Sequence, residues 1–377
     1  MNNRLSLFLF IGFIIMSFNS LYQYSWNALL PLLQKGFNTD IVELEIAFTL
    51  FTIFSTTFQI VGGSIADYKG PKKIGIISSV LSAIGFLGTS STKSIYLFYI
   101  YWSLGSIGEG ILYGIAANLA VKWFPKRRGF ATGFVSLGFG LGAVIANPII
   151  FTFTNYHTVT LLIGLIEIVV LPLLVYFIDY PIKAKGEKPT DVVRTSTWWL
   201  IYASFATSAV PLTVLSSSLG YLAKENIELL VTIFPLLSGS SRPIIGYLSD
   251  YLGRLKIISA VLISMIMGSL LFFFGLLIPT LLIVGFFGGS LITLYFTLSG
   301  DIFGEKYATA NNGILYTGKA VAGVLGGVIF SMLYFYNPFY AKTFVLINAL
   351  IGFLLIYIVI NQRKRSKVTQ TKLERVF

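Results

Sequence analysis

Apolar residues along this chain come in long blocks separated by short polar, glycine- or proline-marked stretches. A helix needs roughly 20 mostly apolar residues to cross a bilayer, whereas a barrel strand needs about 9–11 and alternates strictly. Twelve blocks have the helical length: 5–30, 45–66, 74–91, 95–121, 129–154, 158–179, 198–222, 227–248, 256–275, 278–300, 310–334 and 339–361. The pattern predicts an all-α integral membrane protein with twelve transmembrane helices. The first block follows Arg4 and starts like a signal peptide, but apolar residues continue past Tyr24 and Trp26 to Leu30, so a retained first helix is expected.

The longest polar stretch, Tyr180 to Thr197, contains Pro181, Gly186 and Pro189 and divides six blocks from six. The two sides repeat one another. Asp67, Gly63 and Gly70 recur as Asp250, Gly246 and Gly253 at one constant offset. Gly129 recurs as Gly313, and Gly142 to Ile145 as Gly326 to Ile329, at an offset one residue longer. The expected organisation is two pseudo-symmetric six-helix bundles, 1–180 and 198–361. A linker at 181–197 joins them, and a basic tail occupies 362–377.

Charged residues make up only 11% of the chain, against about 25% in ordinary soluble domains. The deficit runs the whole length, which excludes a soluble body on one anchor. The net charge of +12 sits in the segments between blocks, so no nucleic-acid partner is expected. With the N-terminus in the cytoplasm, 21 of the 27 lysines and arginines fall on that side. Only Lys35, Lys93, Lys224 and Lys342 fall outside, and Arg242 and Lys319 lie within helices. This asymmetry predicts a multi-pass protein of the plasma or inner membrane with both termini cytoplasmic. There is no cysteine and one histidine, His157, so neither a metal site nor a cofactor is expected. A monomer is expected.

Asp67 falls at the C-terminal end of the second helix, where its charge opposes the helix dipole. It wants a nearby cation or the N-terminus of a neighbouring helix. Gly63 permits close helix contact, and Gly70 permits the sharp turn that follows. Because Asp250, Gly246 and Gly253 repeat the arrangement, these residues are expected to form gating latches rather than to bind a ligand. The segment Gly63-x-x-x-Asp67-x-x-Gly70-Pro71-Lys72-Lys73 resembles the signature loop of the major facilitator superfamily.

A second, narrower resemblance runs through Lys122-Trp123-Phe124-Pro125-Lys126-Arg127-Arg128-Gly129 and the glycine-rich Gly138-Phe139-Gly140-Leu141-Gly142-Ala143. With Ser241-Arg242-Pro243 and Leu315-Tyr316-Thr317-Gly318-Lys319-Ala320, this is similar to the oxalate/formate antiporter family. The resemblance implies that Arg242 and Lys319 bind a carboxylate. The residues point the same way unaided. A cation at a helix centre costs about 2.5–3.5 kcal/mol on insertion scales, and Arg242 lies about 12 Å inside its helix end at 1.5 Å per residue. Lys319 reaches a similar depth. Two uncompensated cations at one level suit an anion held between them, and the arginine fork fits both carboxylate oxygens. The plain alternative is snorkelling to the interface. The first half has Gln59 at the position of Arg242, so the fold itself does not require the charge.

Glu109 lies four residues before Tyr113, on one face of the fourth helix. Helices 1, 4, 7 and 10 line the cavity in the resembled superfamily. Glu109 is therefore a candidate cavity ligand, proton carrier or counter-ion, or else a protonated acid in a helix contact. Glu167, on a helix that is peripheral in that fold, takes the latter reading. Tyr24, Trp26, Tyr113, Tyr295 and Tyr316 are candidate aromatic walls of the substrate site, with Gln59.

The expected function is secondary active transport of a small carboxylate by alternating access, as an antiporter or with protons. One rival is proton-coupled efflux of cationic or drug-like solutes led by Glu109. Rivals from other classes are a transport-dead sensor and a membrane enzyme. The enzyme lacks support from any histidine cluster, paired catalytic carboxylates or nucleotide-binding loop.

Overall fold

A computed structural model describes residues 3–181, 185–223 and 225–373. Of the cations counted above, Lys183, Lys224 and Arg375 lie outside the described residues, as do parts of the expected linker and tail.

Twelve helices among the described residues are long and apolar enough to span a membrane. The first six are α1 (Leu5–Gln23), α2 (Ile41–Lys69), α3 (Pro71–Ser91), α4 (Ile95–Trp123), α5 (Arg128–Ile150) and α6 (Tyr156–Tyr176). The last six are α7 (Ser196–Leu222), α8 (Ile227–Leu252), α9 (Arg254–Phe273), α10 (Leu277–Phe303), α11 (Ala308–Tyr336) and α12 (Pro338–Gln362). The expected all-α membrane fold is what forms, and the helix ends show where composition misplaced the boundaries. α2 begins at Ile41 because Asp40 caps it, accepting from the Glu43 amide at 2.8 Å. The backbone of α12 stays helical to Leu373, into the segment expected to be a tail.

Four spans are interrupted. The block expected as one helix over 5–30 breaks at Tyr24–Ser25 and resumes as Trp26–Phe37. The side chain of Asn147 on α5 donates to the Tyr24 carbonyl oxygen (3.2 Å), giving it a partner at the break. α7 breaks at Ala209, two residues before Pro211, which brings no N–H to the ladder. α10 breaks at Ser290, after Gly288 and Gly289. α11 opens into a π-turn over Leu325–Ile329. Around it the carbonyl oxygens of Ala322 and Gly326 accept side-chain hydrogen bonds from Thr213 (2.9 Å) and Ser217 (3.2 Å). Backbone breaks at membrane depth persist only where such partners exist.

The first six spans meet the last six along two seams, α5 against α8 and α2 against α11. Both seams need small residues. A Cβ on Gly140 would sit 2.4 Å from Gly239 Cα, and one on Gly323 would sit 2.2 Å from Thr52 Oγ1. Outer helices such as α6 turn Leu165, Val169 and Leu173 outward as lipid-facing surface.

Candidate functional site

The breaks in α1, α7 and α10 border a small central cavity of about 30 Å³. Its walls include Tyr24, Tyr113, Phe139, Phe205, Tyr316, Arg242 and Lys319. Both intramembrane cations therefore face one space, from two helices of the second half. Arg242 is held from α5 and α1: one Nη donates to the Ser136 carbonyl oxygen (3.0 Å) and the other to the Tyr24 hydroxyl (3.3 Å). Its Nε has no hydrogen-bond partner among the described residues. The Lys319 ammonium donates to the Tyr316 hydroxyl at 2.7 Å, which leaves it two N–H groups. Its charge lies over the rings of Tyr316 (4.8 Å), Phe51 (5.0 Å) and Phe139 (5.6 Å). Among the described residues no carboxylate lies within ion-pair distance of either cation. The ring faces supply part of the missing compensation. Tyr113 stacks on Tyr316 at 4.8 Å, closing the wall between α4 and α11.

Other expected site residues lie elsewhere. Trp26 does not line the cavity: beyond the α1 break it packs on Phe48 and Trp102, both 5.7 Å away. Tyr295 bonds Ser204 (2.6 Å) behind Phe205. Gln59 is buried against Gly114, and among the described residues its amide has no hydrogen-bond partner. Glu109 is also outside the cavity wall. Its Oε2 accepts from Ser55 at 2.5 Å, and its charge interacts with Lys319 without forming a direct pair. Glu167 accepts from Ser82 at 2.8 Å in the interior of the first half. Phe139 and Phe205 are wall residues that sequence reasoning passed over, although for Phe139 a lone aromatic between Gly138 and Gly140 was a visible signal.

At the face carrying the described chain ends, two aspartates reach across the seams. Asp67 on α2 has a fully buried side chain that pairs with Lys122 (2.9 Å) and accepts from the Ala310 amide at the N-terminus of α11 (3.0 Å). Asp250 on α8 accepts from the Gly129 and Phe130 amides at the N-terminus of α5 (3.2 and 3.1 Å) and pairs with Arg254. Each aspartate therefore meets a cation and a helix N-terminus, the two partners its position calls for. Gly63 and Gly246 make room, since a Cβ on either would press on the backbone of Thr309 or Gly129. Gly70 (φ 86°) and Gly253 (φ 95°) take left-handed turns immediately after the two helices. Arg128 adds a bridge from α5 to Asp301 and Glu305.

The linker takes part in this closure. The Lys185 carbonyl oxygen accepts from the amides of Glu305 (2.8 Å) and Lys306 (3.0 Å). Tyr180 lies under the Lys122 ammonium at 4.9 Å. Burial, then the Asp67 charge, pushes its phenol well above the ordinary value, so it stays a neutral donor toward the Ile115 carbonyl oxygen. The opposite face is packed too. Asn27 donates to the Ser216 carbonyl oxygen (2.7 Å) and accepts from the Gly220 amide (2.9 Å). The cavity is thus shut from both ends.

The model of the Major Facilitator Superfamily matches residues 8–221 and again 197–376, one match for each half. The chain belongs to the major facilitator superfamily. It is a multi-pass membrane transporter. Among relatives, it is 47% identical over 87% of its length to an uncharacterized 38 kDa protein in a 23S RNA operon of Thermoproteus tenax, covering 88% of that protein. It is 28% identical over 85% of its length to the oxalate:formate antiporter of Oxalobacter formigenes, covering 82% of it. The fold matches the human organic anion transporter MFSD10 with a TM-score of 0.71 at 13% identity, over 93% of this chain and 97% of that one.

Proposed function

We propose that this transporter moves a small carboxylate by alternating access, with the anion held between Arg242 and Lys319. One observation carries the reading: two buried cations with unused N–H donors face the same small aromatic cavity, and among the described residues no carboxylate pairs with either. A bound carboxylate would supply the missing charge. Its two oxygens would take the free donors, the arginine fork fixing its plane and the lysine its charge. The oxalate:formate antiporter relative supports the same chemistry. The small cavity volume fits an occluded state that opens to admit its substrate.

The face bearing the Asp67 and Asp250 latches is assigned to the cytoplasm, with both chain ends, in a plasma or inner membrane; the lysine and arginine asymmetry supports this. The latches gate that face, and the cycle runs as anion exchange or with a proton. Efflux of cationic solutes is not advanced, because Glu109 lies behind the wall while the wall itself is cationic. Counterflow in proteoliposomes against a panel of small acids and organic cations tests the proposal. Acids should drive uptake of a labelled acid and cations should not. Exchange of cations alone would reject it.

A further inference from the structure

We propose that Glu45, near the outer end of α2, is a proton-binding site that ties opening of the far face to release of a proton. The inference rests on the alternating-access reading, but it concerns a residue that neither the substrate cavity nor the latches use. Glu45 is fully buried, five residues after the Asp40 cap. Neither carboxylate oxygen has a hydrogen-bond partner among the described residues. The Trp26 indole approaches without completing a bond, and the Thr49 hydroxyl one turn on is likewise unpartnered.

The site lies on the seam between the halves. A Cβ on Gly327, in the π-turn of α11, would fall 3.1 Å from Thr49 Oγ1 and 3.7 Å from Glu45 Oε2. Tyr221 of α7 interacts electrostatically with Glu45, but its hydroxyl is committed to Ser218 and Ser331, both at 2.7 Å. On α2 itself the nearby charges, Asp40 and Glu43, have the same sign. α4 contributes Tyr99, which donates to the Glu43 carbonyl oxygen. No lysine or arginine pairs with Glu45 among the described residues.

A carboxylate sealed here would be an uncompensated buried ion, whereas a carboxylic acid is tolerated. The packed far face therefore holds Glu45 with its proton. Parting α2 from α11 admits water, and the proton can leave to that side. The closed and open states then differ by one bound proton, so by linkage rising pH favours the open far face and falling pH favours the closed one. When the opposite face opens instead, the α2–α11 seam at Glu45 stays packed. The proton is then not carried across, and the site reports far-side pH rather than supplying the driving force.

The chain has no cysteine, so Lys35→Cys and Tyr336→Cys place two spin labels on exposed far-face positions of the two halves. In substrate-free bilayers the distance between labels should lengthen as pH is raised from about 5 to about 8. Glu45→Gln should fix the shorter distance at every pH, and Glu45→Asp should keep a pH-dependent change. An unchanged pH response in Glu45→Gln would overturn the inference, as would its loss in Glu45→Asp. Absence of any change in the protein with Glu45 intact would overturn it alone, should the glutamine variant not fold. A failed carboxylate assignment would show in counterflow and leave these distances untouched.

Discussion

Arg242 and Lys319 share one aromatic ring: the guanidinium carbon lies 5.1 Å and the ammonium nitrogen 5.6 Å from the centroid of Phe139. They come from two helices of the second half, and the ring from a helix of the first. Any rocking of α5 against α8 changes what both cations touch. An anion between them would bind best when the halves close, which is how substrate binding can drive occlusion.

The inner latch should govern rate more than affinity. Asp67→Asn removes the partner of the buried Lys122, and breaking a buried pair costs about 3–5 kcal/mol. The loss falls on the state closed at the latch face, so turnover should drop while apparent substrate affinity changes little. Asp250→Asn should slow exchange less, because its pair with Arg254 is more exposed. Initial exchange rates over a range of substrate concentrations separate the two parameters. A large affinity loss at unchanged maximal rate in Asp67→Asn contradicts the latch.

Glu109 sits one layer behind the cavity, bonded to Ser55 and within the field of Lys319. Glu109→Gln should therefore change either the preference between mono- and dicarboxylates or the pH dependence of uptake, since charge complementarity sets selectivity. Uptake of both acid classes across about pH 5 to 8, in native and variant protein, is the measurement. Identical profiles would make Glu109 a packing residue only.

Close approach at the α5–α8 seam should be intolerant of a methyl group. The added carbon in Gly140→Ala meets Gly239 Cα and the Pro235 carbonyl oxygen, both at 2.4 Å, and neither backbone can step aside without moving a helix. A loss of about 1–3 kcal/mol is expected for such overpacking, read as a lowered unfolding midpoint in detergent. Native stability with native exchange would show that the seam is looser than this.

Orientation has its own test. Lys188→Cys introduces a lone thiol in the linker, at an exposed position. It should resist membrane-impermeant reagents on intact cells and react once the membrane is opened. Labelling from outside would invert the topology.

The spans were legible because run length is a one-dimensional property, and bilayer thickness fixes it. Which face a residue turns was less legible. Trp26 and Tyr24 lie two positions apart in one apolar block. The break at Tyr24–Ser25, with Asn147 of a distant helix on its carbonyl, sends Tyr24 to Arg242 and Trp26 to Trp102. No proline or glycine marks that break. The cations stood out because a buried charge is costly at any rotation of the helix. Glu45 did not, since beside Asp40 and Glu43 it looks like part of a solvated first turn.

The most direct test of the central claim is substrate exchange in liposomes holding purified native, Arg242→Gln, Lys319→Gln or Arg242→Lys protein, with oxalate and formate as the first labelled acids. Native protein should exchange an acid. Each glutamine variant should insert normally and lose exchange, and lysine at position 242 should restore little of it, lacking the two-pronged donor set. Native-level exchange in Arg242→Gln would contradict the account.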